Sequence, residues 1–259
     1  MKYIAIFTVI AIITIIIIKS STALELSTSI NSSRQLIVVI TPSWIDLKAR
    51  MYRFERSEKG WQKLTDHYDA VVGSNGMAWG IGLHDKNTGG PVKTEGDRKA
   101  PAGIFYLIMA MGYDALPPAG TTFPYEQIKE KSHCVDDASS KYYNQIVNEA
   151  DLNAPVSNAW KSSELMKRKD VLYKWLVVVD HNATDPMPGA GSCIFIHIWR
   201  SKGKGTAGCT AMEEKAVIGL MSWLKKDAHP VLVQLPKAEY ERVWKDWKLP
   251  MPEFIDSPR

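Results

Sequence analysis

Two residues in the C-terminal third can do covalent chemistry together. Cys209 closes the stretch Gly205-Thr206-Ala207-Gly208-Cys209, and His197 lies upstream with eleven residues between the two. A thiol needs a base to become a nucleophile near neutral pH, and an attacked carbonyl needs backbone amides to receive its oxyanion. His197 would project from the end of a predicted strand as the base. The amides of Gly208 and Cys209 would be the oxyanion donors, with glycine at 208 free to adopt positive φ. A helix predicted immediately after the turn would add the field of its N-terminus and favour the thiolate. The plain alternative is a small buried hydrophobe, a common fate of an unpaired cysteine.

The other candidates fall around this pair. The chain has three cysteines, and in an oxidising compartment an odd count leaves one thiol over. A nucleophile must stay free, so Cys134 and Cys193 are expected to form a bridge. His84, His133, His181 and His229 have no mutual spacing of zinc-site type, so no metal and no cofactor are expected. Lys93, Glu95 and Asp97 are expected to order a loop, and Asp136 and Asp137 to cap a turn, with a place in the cleft as their alternative.

The elements that must position these residues are mostly strands. Leu36–Thr41 is β-branched, and Leu47–Glu55 with Trp61–Leu64 forms a hairpin turning at Glu58-Lys59-Gly60. Ala70–Gly73, Met77–Leu83 after the turn Ser74-Asn75-Gly76, and a strand through Ile104-Phe105-Tyr106 follow. Residues 112–158 are irregular and rich in Pro and Gly, a surface insertion leading to a helix predicted over about 159–169. Leu172–Asp180 and Ile194–Trp199 return to strand. Alternation in the latter puts Ile194, Ile196 and Ile198 on one face and Phe195, His197 and Trp199 on the other. A helix over Glu213–Lys226, a strand over Val231–Leu235 and a helix around 238–247 finish the chain. The fold class is mainly β (α+β), a mixed β-sandwich with a helical insertion and a helix after the cysteine.

Of 259 residues, 45% are hydrophobic and 23% charged, the balance of a globular chain, and nine Trp give material for a core. The net charge of +4 falls to +2 without Lys2 and Lys19, too weak a bias for a nucleic-acid partner. Those two lysines flank an isoleucine-rich run from Tyr3 to Ile18, followed by Ser21-Thr22-Ala23, a small-x-small pattern. Residues 1–23 are therefore read as an export signal cleaved after Ala23, or as an uncleaved anchor that would be the chain's one membrane contact. Residues 24–35 form a flexible leader, and 36–259 one domain in the periplasm or cell envelope.

The segments Ile196-His197-Ile198-Trp199-Arg200 through Gly205-Thr206-Ala207-Gly208-Cys209-Thr210, with Glu95-Gly96-Asp97-Arg98-Lys99-Ala100-Pro101-Ala102-Gly103 upstream, resemble the L,D-transpeptidase catalytic domain (YkuD-type) family. The resemblance spans roughly 36–235, with the two motifs in the family's order. Ala207 stands where the family usually has His, Ala211 and Met212 where an Asn or Arg usually follows, and the His-to-Cys loop is short, which marks a divergent branch. The resemblance implies that Cys209 attacks a peptidoglycan stem peptide after its third residue, releases D-alanine and passes the acyl group to an amine. It makes His197 the base, oriented by the carbonyl of Ile198. Trp199, Arg200 and Thr206 are the candidate substrate-binding residues; Arg200 either binds a stem-peptide carboxylate bidentately or is a solvated strand-end charge. The resemblance also implies acylation by carbapenem-type β-lactams. The rival readings are an L,D-carboxypeptidase using water as acceptor, a non-catalytic cell-wall binding module of the same fold, and a secreted cysteine peptidase with another substrate.

Overall fold

Gln35–Thr41 (β1) carries the run Leu-Ile-Val-Val-Ile, and all seven of its residues are buried, as in a strand covered on both faces. The structure is a computed structural model that describes residues 30–64, 66–85 and 89–256. The segment read as an export signal, 1–23, and residues 24–29 of the leader lie outside the described residues. Among the described residues no helix is long and apolar enough to cross a membrane. The end of the leader is fixed to the fold: Ile30 is buried in the core and its carbonyl accepts from Arg56 Nη2 at 2.8 Å. In a run of Ser and Asn, Ile30 is the one apolar side chain able to anchor it.

The remaining strands are β2 (Lys48–Ser57), β3 (Gly60–Lys63), β4 (Tyr68–Val71), β5 (Met77–Trp79), β6 (Ala100–Gly112), β7 (Tyr125–Gln127), β8 (Ser132–Cys134), β9 (Ile146–Asn148), β10 (Glu164–Leu165), β11 (Trp175–Val179), β12 (Phe195–Ile198), β13 (Thr210–Met212) and β14 (Val231–Pro236). The main sheet runs β1-β14-β6-β11-β12-β13-β4-β2, and β2 pairs back onto β1. The pairing thus closes on itself, which removes the open edges of a flat sheet. β1–β14 and β12–β13 are parallel, so the sheet is mixed. The mainly β expectation holds.

Helix α1 (Glu214–Trp223) buries Val217, Leu220 and Met221 on one stripe, and α2 (Lys237–Val243) buries Tyr240 and Val243. The short α3 (Glu253–Asp256) seats Phe254 edge-on against Tyr52, with ring centroids 4.7 Å apart. A large core fills the ring. A second cluster, on the outer face of β6, β11 and β12, gathers Met111, Leu176, Phe195, Tyr173 and all three cysteines.

The insertion between β6 and β11 is not helical in the way expected. Its elements are a three-stranded sheet, β10-β8-β9, and 3-10 turns at Glu149–Asp151 and Val156–Asn158. The helix expected over about 159–169 is replaced by β10, which pairs with Cys134. The buried anchors of that segment, Trp160 and Met166, are six residues apart and share no helical face. Asp137 also accepts from the Lys161 amide at 2.8 Å and Asp136 from Ser162 Oγ at 2.5 Å, which hold the backbone extended.

Cys134 in β8 is joined to Cys193, just before β12, with Cα atoms 5.9 Å apart. The bridge fastens the insertion to the strand that carries His197, and Cys209 is the free cysteine. Thiol titration of the denatured, unreduced protein is expected to find one thiol; three would contradict the pairing. The closed loop spans 59 residues, so a Cys134→Ala/Cys193→Ala protein should lose up to about 4 kcal/mol in denaturant unfolding.

Candidate active site

Cross-strand register brings the two chemical residues together. His197 lies opposite Leu176 on β11 and opposite Ala211 on β13. Side chains alternate along a strand, so Cys209, two residues before Ala211, faces the same side as His197. The alternation expected for β12 is observed: Ile194, Ile196 and Ile198 enter the main core, and Phe195 joins the outer cluster.

The turn before Cys209 is stapled by Thr206, whose hydroxyl donates to the Cys209 carbonyl at 2.6 Å and accepts from the Gly208 amide at 3.1 Å. Gly208 has φ +156°, and a Cβ there would sit 3.3 Å from the Lys99 carbonyl. The Gly208 amide, expected as an oxyanion donor, is thus taken by Thr206, and the Cys209 amide remains as the donor of that pair. The helix expected immediately after Cys209 begins only at Glu214, with β13 between. A helix field fades within its first turn, so it does not reach the thiol.

The environment keeps both groups neutral. Burial pushes the Cys209 thiol up to about 12, and the Glu164 charge adds to the shift. The thiol donates to the Cys193 carbonyl at 3.4 Å and accepts from the Phe195 amide at 3.3 Å. Cys193 presents that carbonyl from a left-handed conformation, φ +57°, held by the disulfide and by its amide's bond to Asn144 Oδ1 at 2.8 Å. Burial pulls His197 down to about 4, only partly offset by the carbonyls of Ile198 and Leu172. His197 Nδ1 lies 2.8 Å from the Ile198 oxygen. A carbonyl can only accept, so Nδ1 carries the proton and Nε2 keeps a lone pair.

The cleft over the pair has two lobes that share Glu164, Tyr173, His197 and Ala207. The lobe of about 240 Å³ contains Cys209, Lys93, Glu95, Arg98 and Asp136. The lobe of about 180 Å³ contains Arg168, Arg200, Lys204 and Thr206. Arg200 and Thr206 therefore line the cleft, as expected. Trp199 does not: it borders a separate surface hollow with Tyr68, Lys202 and Glu213, because it lies past the end of β12 and no longer follows its alternation. Asp137 caps its turn through the Ser139 amide, while Asp136 faces the cleft. Asp97 orders its loop by accepting from Lys93 Nζ at 2.6 Å, the Thr94 amide at 3.0 Å and the Lys99 amide at 2.8 Å.

Two site residues escape a reading of the sequence. Tyr173 packs edge-on to the His197 ring, centroids 5.1 Å apart, and donates to Glu164 at 2.7 Å. Burial raises Tyr173 well above its ordinary value, so it is a neutral donor. Glu164 carries no local signal: it sits in a polar insertion, and its partners come from other elements.

The family model of the L,D-transpeptidase catalytic domain (YkuD) matches residues 43–233, and the chain belongs to that family. The family's members are in general acyltransferases acting on peptidoglycan peptides. No curated protein and no solved structure gives a significant match.

The buried imidazoles set an acid limit on stability. His84, His181 and His197 are each pulled down to about 4 by burial. The unfolded chain, with histidines near 6.5, binds more protons between those values, so this stability is present above about 6.5 and lost as pH falls toward 4. Glu164 and Asp180, both raised by burial, act in the opposite sense. Urea unfolding between pH 7 and 5 is expected to weaken by up to about 4 kcal/mol per pH unit, the limit for three protons. His197→Ala should flatten the slope by about one proton; a flat wild-type profile would contradict the assignment.

Proposed function

We propose that this chain is an exported cysteine acyltransferase that acts on peptidoglycan stem peptides, with Cys209 as nucleophile and His197 as base. The observation that carries the reading is the placement of a free thiol, on the residue that enters β13, and a lone-pair-bearing Nε2, on the neighbouring β12, in one charged cleft of a chain of this family. Export is supported by the N-terminal sequence pattern and by a disulfide, a bond that persists in oxidising compartments.

The chemistry follows from neutral partners. Cys209 turns from the Cys193 carbonyl toward His197, and Nε2 takes the thiol proton as sulfur attacks the carbonyl after the third stem residue. The Cys209 amide meets the oxyanion. His197 then protonates the departing D-alanine amine, leaving a thioester on Cys209. An acceptor amine attacks that thioester, and its proton passes through His197 to regenerate the thiol. The base is neutral at rest, so the reaction needs no preformed thiolate. With Ala207 in place of a second histidine, one imidazole governs the acid limb of the rate.

Incubation with purified muropeptides should release D-alanine, and Cys209→Ala should abolish that release. The acylation rate should hold from pH 8 to 5 and fall only as His197 protonates near its folded value of about 4. A His197→Ala variant that retains most of the rate would reject the base. A carbapenem should add one drug mass to the intact protein, absent in Cys209→Ala and slowed about a hundredfold or more in His197→Ala. An increment that survives in Cys209→Ala would reject Cys209 as the acylated residue.

A further inference from the structure

Both lobes of the cleft are lined by charges and share the Glu164 carboxylate: Arg168, Arg200 and Lys204 supply cations beyond His197, and Lys93 and Arg98 stand with Glu95 and Asp136 over Cys209. Two cations of the cleft, Arg168 and Lys93, are held in ion pairs with other acids. Arg168 is bound through two bonds of 2.9 Å to Asp170, and Lys93 is held by Asp97 at 2.6 Å. Glu164 receives one hydrogen bond, from the Tyr173 hydroxyl, and among the described residues no Lys or Arg pairs with it. A largely buried carboxylate with one neutral donor and no cation in contact, the Arg168 charge acting on it only from a distance, is costly, and a cation entering the cleft would relieve that cost. Its position is fixed in advance: β10 pairs with β8, and Cys134 of β8 is bridged to Cys193, whose carbonyl holds the thiol.

We propose that Glu164 is the acceptor-recognition residue: its carboxylate binds the ammonium of an incoming primary amine beside the Cys209 thioester and so favours aminolysis over hydrolysis. This rests on the acyl-transfer reading above. A primary amine arrives protonated near neutral pH. It gives one proton to Glu164, and the freed nitrogen lone pair forms the new C–N bond. The C–S bond then breaks, the second proton passes through His197 to the Cys209 sulfur, and Glu164 returns its proton to water. The products are one amide, the free thiol and one proton.

The test compares wild type with Glu164→Gln and Glu164→Asp, each shown to be folded by its thermal transition. The donor is a stem tetrapeptide acetylated at its N-terminus and at its side-chain amine, and glycinamide in excess is the acceptor, so glycinamide supplies the ammonium that reacts. Glu164→Gln is expected to lower the ratio of amide to hydrolysis product about tenfold, as for loss of a charge-assisted hydrogen bond. D-alanine release and carbapenem labelling are measured alongside, since the Glu164 charge also acts on the thiol, and the ratio is taken after acylation so that it reports the fate of the thioester alone. Glu164→Asp, which keeps the charge, should fall between the two, and serves as the comparison should Glu164→Gln fail to fold. An unchanged ratio in the folded variants overturns the proposal. So does a loss of acylation as large as the loss of transfer, which would assign Glu164 to the donor. A wild-type protein that acylates Cys209 and hydrolyses the thioester, but forms no amide with glycinamide, overturns the proposal and leaves the cysteine mechanism standing. A wild-type protein that is never acylated at Cys209 removes both.

Discussion

Everything at this site depends on the parallel pairing of β12 with β13, in which His197 lies opposite Ala211. That register puts Cys209 on the face of His197, and a slip of one residue would turn the thiol into the main core. Several features hold the register. Thr210 is hydrogen-bonded to Gln234 of β14, and Met212 is buried in the core on the face opposite Cys209. A Cβ on Gly205 would sit 2.6 Å from Ser74 Cα, so the incoming loop passes this close to Ser74 because residue 205 is glycine. The small Ala211 beside His197 leaves room for the imidazole and the Tyr173 ring that packs on it.

Burial then decides the kind of catalysis. A thiolate and an imidazolium at this depth would each need a partner charge, and the carboxylate that faces them, Glu164, opposes the thiolate. The resting state is therefore a neutral thiol on a backbone carbonyl and a neutral imidazole fixed by another. In the proposed reaction the proton is transferred when the substrate carbonyl arrives to receive the sulfur, and charge develops where the Cys209 amide can meet it. A thiol kept protonated by burial is also slow to oxidise, since oxidation tracks thiolate character.

The legible part of this structure is local. β1, the β2–β3 hairpin and the strands of residues 175–179 and 195–198 follow from β-branched runs and alternation, and the Cys–His pair from a Gly-rich turn after a strand. The disulfide partners follow from elimination once the third thiol must stay free. What escaped depends on distant contacts. β13 is three residues, Thr-Ala-Met, with no strand signature of its own, and forms because β12 and β4 flank it. Its absence from the sequence reading placed a helix N-terminus beside Cys209. The β10 segment was read as helix because its polar residues permit one; Asp136 and Asp137, more than twenty residues earlier, take up its polar groups instead. Glu164 and Tyr173 enter the site only through that rearrangement.

The division between legible and hidden residues matches a division of labour. His197 and Cys209 ride on the closed sheet, whose register tolerates little change. Glu164, Tyr173 and Asp136 come from the insertion, which is joined to the sheet by β7 along β6, by the disulfide, by the Tyr143 hydroxyl, which donates to Glu95 and accepts from the Gly191 amide, and by Asn144, which accepts from Cys193 and donates to the carbonyls of His181 and Asn182. Substitutions in the insertion can alter the charge that a substrate meets without moving the thiol or the imidazole. The reverse does not hold, since Cys193 belongs at once to the disulfide and to the carbonyl that holds Cys209. Any displacement of the insertion large enough to strain the bridge would therefore reach the Cys209 thiol, so the insertion's half of the cleft is free to vary in side chains but not in backbone position.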